Sequence, residues 1–136
     1  MAQKRPSLTP GGDLELALLS ALWASPGSGA TARELFSRVS PTRGIVYTTV
    51  AKVLDRLAEK RMVARRRKGR ARVYTARVGP EATHRAIARR MIEQLREAGP
   101  RPAAAALLGA LEDISPEWIE ALRAEIRERR RTERGA

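Results

Sequence analysis

The chain of 136 residues has no cysteine, which excludes disulfides, thiolate metal ligands and cysteine nucleophiles together. Histidine is almost as scarce: His84 stands alone, and neither a catalytic nor a metal cluster is expected. With no plausible nucleophile and no phosphate-cradling loop, the sequence does not read as an enzyme and calls for no cofactor and no metal. Long hydrophobic runs are missing too. The longest, Ala103 to Leu111, is far short of the roughly 20 apolar residues a membrane span needs, so no membrane insertion is expected. The N-terminal MAQKRPSLTPGG is basic, but Asp13 and Glu15 interrupt the apolar stretch behind it and no convincing cleavage site follows. It reads as no signal peptide, and the chain as soluble and cytoplasmic.

One sign of charge is locally absent. From Lys60 to Arg77 there are nine basic residues and no acid, a run that repels itself unless a polyanion neutralises it. The formal net charge of +12 lies mostly in the front of the chain: residues 1–78 carry 16 Lys and Arg against 5 Asp and Glu, and residues 79–136 carry 11 against 10. A chain of this length suffices for one compact domain, or for a small domain plus an association arm.

Leu14, Ala17, Leu18, Ala21 and Leu22 recur at the spacing of one helical face, and Pro26-Gly27-Ser28-Gly29 stops that helix. Thr31 caps a second, with Glu34 three residues on completing a capping box, and Ala32, Leu35, Phe36 and Val39 form its buried stripe. Ser40 to Gly44 reads as a turn. A third helix buries Val50, Val53, Leu54 and Leu57 and ends near Lys60. Two strand candidates, Met62–Arg67 and Ala71–Thr75, flank Lys68-Gly69-Arg70, where glycine supplies the positive φ of a hairpin turn. Three helices and then a hairpin is the order of a winged helix, a variant of the helix-turn-helix.

Thr48, Lys52, Asp55 and Glu59 fall opposite the buried stripe of the third helix. The N-terminal half of that face, with Thr48, Thr49 and Lys52, suits base edges and phosphates; the C-terminal half, with Asp55 and Glu59, repels DNA. A recognition helix enters the major groove N-terminal end first, so the gradient predicts the docking direction. Arg65, Arg67, Lys68, Arg70 and Arg72 are expected on the hairpin, against the DNA backbone or minor groove, and Arg43 joins the candidate contacts. A basic hairpin or a Thr/Lys helix face alone is most often solvated surface; their order and spacing together point to DNA.

Beyond Gly79-Pro80 the pattern is purely helical. His84, Ile87, Ala88, Met91, Ile92 and Leu95 predict one long helix ended by Gly99-Pro100; Leu107, Leu108 and Leu111 mark a short one; Ser115-Pro116 opens the last, with Trp118, Ile119, Leu122 and Ile126 on its stripe. His84 reads as a packed core or interface residue, Trp23 and Trp118 as core anchors, and Arg129–Ala136 as a frayed tail. Amphipathic helices without a sheet need something to bury against, and a second copy is the economical answer. The expected dimerisation residues are Ile87, Met91, Leu95, Leu107, Leu108, Leu111, Trp118, Ile119, Leu122 and Ile126.

The sequence resembles the BlaI/MecI penicillinase-repressor family of bacterial transcription regulators. The resemblance rests on Leu14-Glu15 through Leu22-Trp23, on Thr31-Ala32-Arg33-Glu34-Leu35, and above all on Val46-Tyr47-Thr48-Thr49-Val50 continuing to Leu54-Asp55-Arg56-Leu57-Ala58-Glu59-Lys60. It extends to Gly69-Arg70-Ala71-Arg72-Val73-Tyr74 and, more loosely, to Leu107–Leu111 and Ser115–Ile126. It implies a homodimeric repressor on a palindromic operator, with Tyr47, Thr48, Thr49 and Lys52 on the recognition helix and Gly69, Arg70 and Arg72 on the wing. It also implies a membrane sensor protease that relieves repression, often by cleavage in the C-terminal region. The family's Asn-Phe cleavage pair has no counterpart in Ala106–Leu111, and its frequent glycine after the third helix is replaced by Arg61.

The expected architecture is therefore mainly α with a small β-hairpin: a winged helix-turn-helix DNA-binding domain over 1–78 and a helical dimerisation region over 79–136. The expected function is sequence-specific repression by a homodimer on double-stranded DNA carrying a pseudo-palindromic operator. The alternatives are an architectural or nonspecific nucleic-acid-binding protein using the same basic winged helix, and a module whose wing docks an acidic protein.

Overall fold

The computed structural model describes residues 12–135; the N-terminal segment read above as no signal peptide lies outside them, as does Ala136. In chain order the elements are α1 (Asp13–Trp23), β1 (Ala30–Thr31), α2 (Ala32–Arg43), α3 (Tyr47–Glu59), β2 (Val63–Lys68), β3 (Ala71–Ala76), α4 (Pro80–Glu93), α5 (Pro100–Ile114) and α6 (Pro116–Gly135). The chain forms two compact units that divide between Arg89 and Arg90, inside α4. The division lies beyond the expected boundary at Val78 because the start of α4 belongs to the first unit. Thr83 is fully buried there, Trp23 donates its indole N–H to the Val78 carbonyl at 2.8 Å, and the Trp23 ring meets His84 edge-on at 5.6 Å.

The core of the first unit takes Leu18 and Leu22 from the expected stripe of α1, Leu35 and Val39 from α2, and Val50, Val53, Leu54 and Leu57 from α3; Leu19, outside the expected stripe, is fully buried with them, while Leu14, Ala17 and Ala21 are only partly buried. Met62, Val63, Tyr74 and Val78 close it from the wing side. Thr31 starts α2 as its sequence suggests, its hydroxyl accepting from the Glu34 amide at 3.2 Å while the Glu34 carboxylate accepts from the Thr31 amide at 3.4 Å. β1, absent from the sequence reading, adds to the hairpin in an antiparallel sheet ordered β1-β3-β2, with Ala30 opposite Tyr74 and Arg65 opposite Tyr74 on the other side. Gly29 makes this possible. At φ +94° it lets β1 approach β3 so closely that a Cβ there strikes the Tyr74 carbonyl oxygen and lies 2.8 Å from side-chain atoms of Thr75 and Val73.

The end of α3 fixes where the wing begins. Arg61 adopts φ +63°, the Met62 amide donates back to the Leu57 carbonyl at 3.0 Å and the Arg61 amide to Ala58 at 3.1 Å, which is a Schellman cap. Its usual glycine is replaced by arginine, so the left-handed conformation the family's glycine favours is kept by a residue that strains to adopt it. Just before it, the Lys60 ammonium donates to both carboxylate oxygens of Glu15, at 2.9 and 3.1 Å, and so ties α3 to α1. Glu15 is 3% exposed, so the Lys60 ammonium meets an acid held inside the core.

Several expectations change. The turn expected at Ser40–Gly44 is the last turn of α2, which continues through Pro41 to Arg43. Pro41 is exposed, and the chain turns only at Gly44, φ +61°. The long helix expected to run through Leu95 stops at Glu93, a 3-10 turn occupies Arg96–Ala98, and Pro100 opens α5 instead of ending its predecessor. α5 spans fifteen residues, not a short segment around Leu107, because its alanines favour helix without marking an apolar stripe. The tail is helical through Gly135, supported by Arg129–Glu125 and Arg131–Glu128 pairs at i,i+4 and i,i+3. His84 and Trp118 are exposed in the single chain, not packed in its core.

Candidate nucleic-acid interface

α3 is amphipathic in the expected sense. With Val50, Val53, Leu54 and Leu57 buried, Thr48, Thr49 and Lys52 are exposed along its N-terminal half. No side chain caps the N-terminus of α3, so its first amides and the positive end of its dipole point outward with Thr48 and Thr49. Tyr47 is different. Its ring is half-buried, edge-on to Phe36 at 5.9 Å between centroids, and it carries the Arg33 guanidinium 4.8 Å above its face. Tyr47 thus packs the start of α3 against α2 and seats a cation. Arg43 is exposed at the end of α2.

The wing obeys strand parity, which divides its cations between two faces. Arg65 opposite Tyr74 and Arg67 opposite Arg72 place residues 65, 67 and 72 on one side, that of Tyr74. Arg66 and Lys68 take the other side, where Arg66 donates to the Ser28 carbonyl at 2.9 Å. Lys68, expected beside the arginines of the α3 side, therefore stands on the opposite face. At the tip, Gly69 has φ +64° and Arg70 does not share the positive φ, the pattern of a type II′ turn with glycine first.

On the α3 side, Arg65 donates to the Asp55 carboxylate at 2.8 Å, and Arg72 lies 3.9 Å from the same oxygen. The C-terminal half of α3 is thus not a bare acidic end: Asp55 is spanned by two wing arginines. Between α2, α3 and the wing lies a cleft of about 480 Å³ lined by Arg33, Tyr47, Asp55, Arg70 and Arg72 among others. Arg33 is the residue sequence reasoning missed. It sits in the first turn of α2, where the helix dipole disfavours a cation, and only the packing of α2 on α3 brings it beside the Tyr47 ring.

Helix-turn-helix α2–α3, an uncapped helix N-terminus with Lys52 a turn behind it and a cationic wing beside it define a winged-helix DNA-binding protein. The sequence pattern described as penicillinase repressor matches residues 11–128. "Transcriptional regulator BlaI" of Mycobacterium tuberculosis, from each of two strains, is 34% identical over 116 residues, covering 85% of this chain and 82% of the relative. The solution structure of the DNA binding domain of the repressor BlaI is similar over 57% of this chain and 93% of its own, with 24% identity and a TM-score of 0.49. The chain belongs to the penicillinase repressor family and is a DNA-binding transcriptional repressor. Among the described residues no helix is long and apolar enough to cross a membrane.

Proposed function

We propose that the chain represses transcription as a cytoplasmic homodimer on a pseudo-palindromic operator, with the N-terminal half of α3 in the major groove and the wing on the adjacent backbone. The observation that carries this reading is the placement of Thr48, Thr49 and Lys52 on one open helix end, beside a strand pair whose near face and tip carry Arg65, Arg67, Arg70 and Arg72. The threonines offer hydroxyls and methyl groups to base edges, Lys52 reaches a guanine edge or a phosphate, and the guanidiniums of Arg67 and Arg70 hold phosphates.

Dimerisation rests on the second unit and the end of α4. Met91, Leu108, Trp118, Leu122 and Ile126 are exposed, Trp118 by 52% and Ile126 by 43%, while Ile87, Leu95, Leu107, Leu111 and Ile119 are half-buried. Exposed apolar side chains in this number call for a partner. A second copy fits, because twofold symmetry on the protein matches half-sites about one helical turn of DNA, or a multiple of it, apart. A membrane sensor protease remains the inducing partner that membership in the family suggests. The region that corresponds to the family's cleavage site, Ala106–Leu111, lacks the Asn-Phe pair and lies in the middle of α5. Cutting there requires that turn of helix to open first, and limited proteolysis with and without operator DNA reads this directly.

The test of the whole reading is binding to the chain's own upstream region and to scrambled DNA of equal length across a salt series. Tight, two-per-site binding to the upstream region alone supports it, with a specificity ratio of about 10³ or more. Arg70→Ala is expected to weaken both DNAs alike and lower the salt slope by about one unit, and Thr48→Ala to change which sequence is preferred. Equal affinity for both DNAs replaces the repressor reading with an architectural one.

A further inference from the structure

The ion pair between α3 and the wing has a consequence beyond the docking scheme above, on which it rests. A surface that binds a polyanion gains from every unpaired cation, yet here one carboxylate occupies two of them. Asp55 lies two turns along α3 from Thr48 on the same face, and its Oδ1 accepts from Arg65 at 2.8 Å with Arg72 at 3.9 Å. The three side chains are 48%, 45% and 56% exposed, so the cluster is a surface feature that adds little to folding. Its position matters more than its energy. Arg65 and Arg72 point toward α3 by strand parity, and the nearer cations left unoccupied by Asp55 on that side are Arg67, Arg70 and Arg33.

We propose that Asp55 is a specificity-determining residue, which pairs with Arg65 and Arg72 to withdraw two wing cations from sequence-independent phosphate contacts. Nonspecific binding is almost wholly electrostatic. A loosely docked protein turns until any free cation meets a phosphate, whereas one seated by α3 in the groove holds its wing in a single register. Cations released from Asp55 therefore strengthen random DNA more than the operator. With about 0.9 of salt slope per phosphate, each new contact is worth about fivefold at 0.15 M salt relative to 1 M.

The experiment compares Asp55→Asn, Asp55→Glu, Glu59→Gln and the double variant Asp55→Asn/Arg65→Gln with the unaltered chain. The operator-bearing upstream region and scrambled DNA are titrated across salt, with thermal melts alongside. Asp55→Asn is expected to tighten scrambled DNA about five- to twenty-fivefold, to raise its salt slope by about one to two units, and to lower the specificity ratio. Asp55→Glu, whose carboxylate still reaches both arginines, returns the original slope, and Arg65→Gln takes back about one unit of the gain. Glu59→Gln removes the same charge from the same helix, but no wing arginine pairs with Glu59 among the described residues, so its effect is smaller. If Asp55→Asn matches Glu59→Gln, or tightens both DNAs equally, Asp55 is only a charge and the proposal is overturned. Arg70→Ala separates the two levels. A changed slope there with none at Asp55→Asn refutes the role of Asp55 alone, and silence at Arg70 and Thr48 together removes the docking face and this inference with it.

Discussion

Replacing Lys60 by methionine probes the ion pair that ties the buried Glu15 to the end of α3. Glu15 is 3% exposed and Lys60 30%, and both carboxylate oxygens lie within 3.1 Å of the ammonium. Two unit charges at this separation attract by about 5 kcal/mol at an effective dielectric of about 20. Removing one partner of a fully buried pair costs about 3–5 kcal/mol, because the other charge stays behind without water or counterion. Lys60 is partly solvated and Glu15 has further interactions of its own, so the expected loss is smaller, about 2 kcal/mol. Methionine keeps most of the apolar stem, which confines the change to the charge. For a unit of this size that loss lowers the melting temperature by about 10 °C. Urea denaturation at fixed protein concentration measures it, since an oligomer's stability shifts with concentration. The double variant Glu15→Leu/Lys60→Met removes the stranded carboxylate and should recover to within about 1 kcal/mol of the starting protein. A loss below about 0.5 kcal/mol in Lys60→Met makes the contact an ordinary surface pair. A double variant as unstable as the single one means that the lysine packing, not the buried charge, was at stake.

Arg61→Gly should stabilise the chain by about 0.5–1 kcal/mol, because glycine relieves the φ of +63° at a cost only in unfolded-state entropy; denaturant midpoints read it, and a loss means Arg61's own contacts outweigh the strain. Thr83→Val should stabilise by about 1 kcal/mol, since Thr83 is fully buried and its hydroxyl finds no partner among the described residues; a destabilised variant would reveal a hydrogen bond formed in solution. Gly29→Ala should cost about 2 kcal/mol or more by driving β1 off β3, and amide exchange at Thr31 and Val73 should rise with it. Leu122→Asp should produce monomers with weakened operator affinity in analytical ultracentrifugation and binding titrations, and a variant that stays dimeric moves the interface off α6.

The chain's own periodicities determined most of the first unit. Leu18, Leu22, Val50, Leu54 and Leu57 are buried because a 3.6-residue repeat leaves a helix only one apolar face to hide. Thr31 with Glu34, and Gly69 in the hairpin, were legible because capping and positive φ are local chemistry. Local reading failed where a residue has no strong marker. The alanines of α5 hide its length, Pro41 and Pro100 carry the sequence signal of a break yet sit inside α2 and at the start of α5, and the two residues of β1 are too few to show a period.

What only the tertiary structure decided concerns pairs far apart in the chain. Sequence placed Asp55 on a face repelling DNA and Arg65 on a face attracting it, as separate charges; folding the wing onto α3 joins them at 2.8 Å. Arg33 was an unremarked helix residue until α2 packed on α3 and set it over Tyr47. Parity sent Lys68 away from its neighbours Arg67 and Arg72 only once the register of β2 on β3 was known. Composition and spacing specify which residues are buried and how much charge a surface carries, because those depend on each residue and its near neighbours. Which charges meet depends on how distant segments are brought together, and that is a property of the packed chain alone.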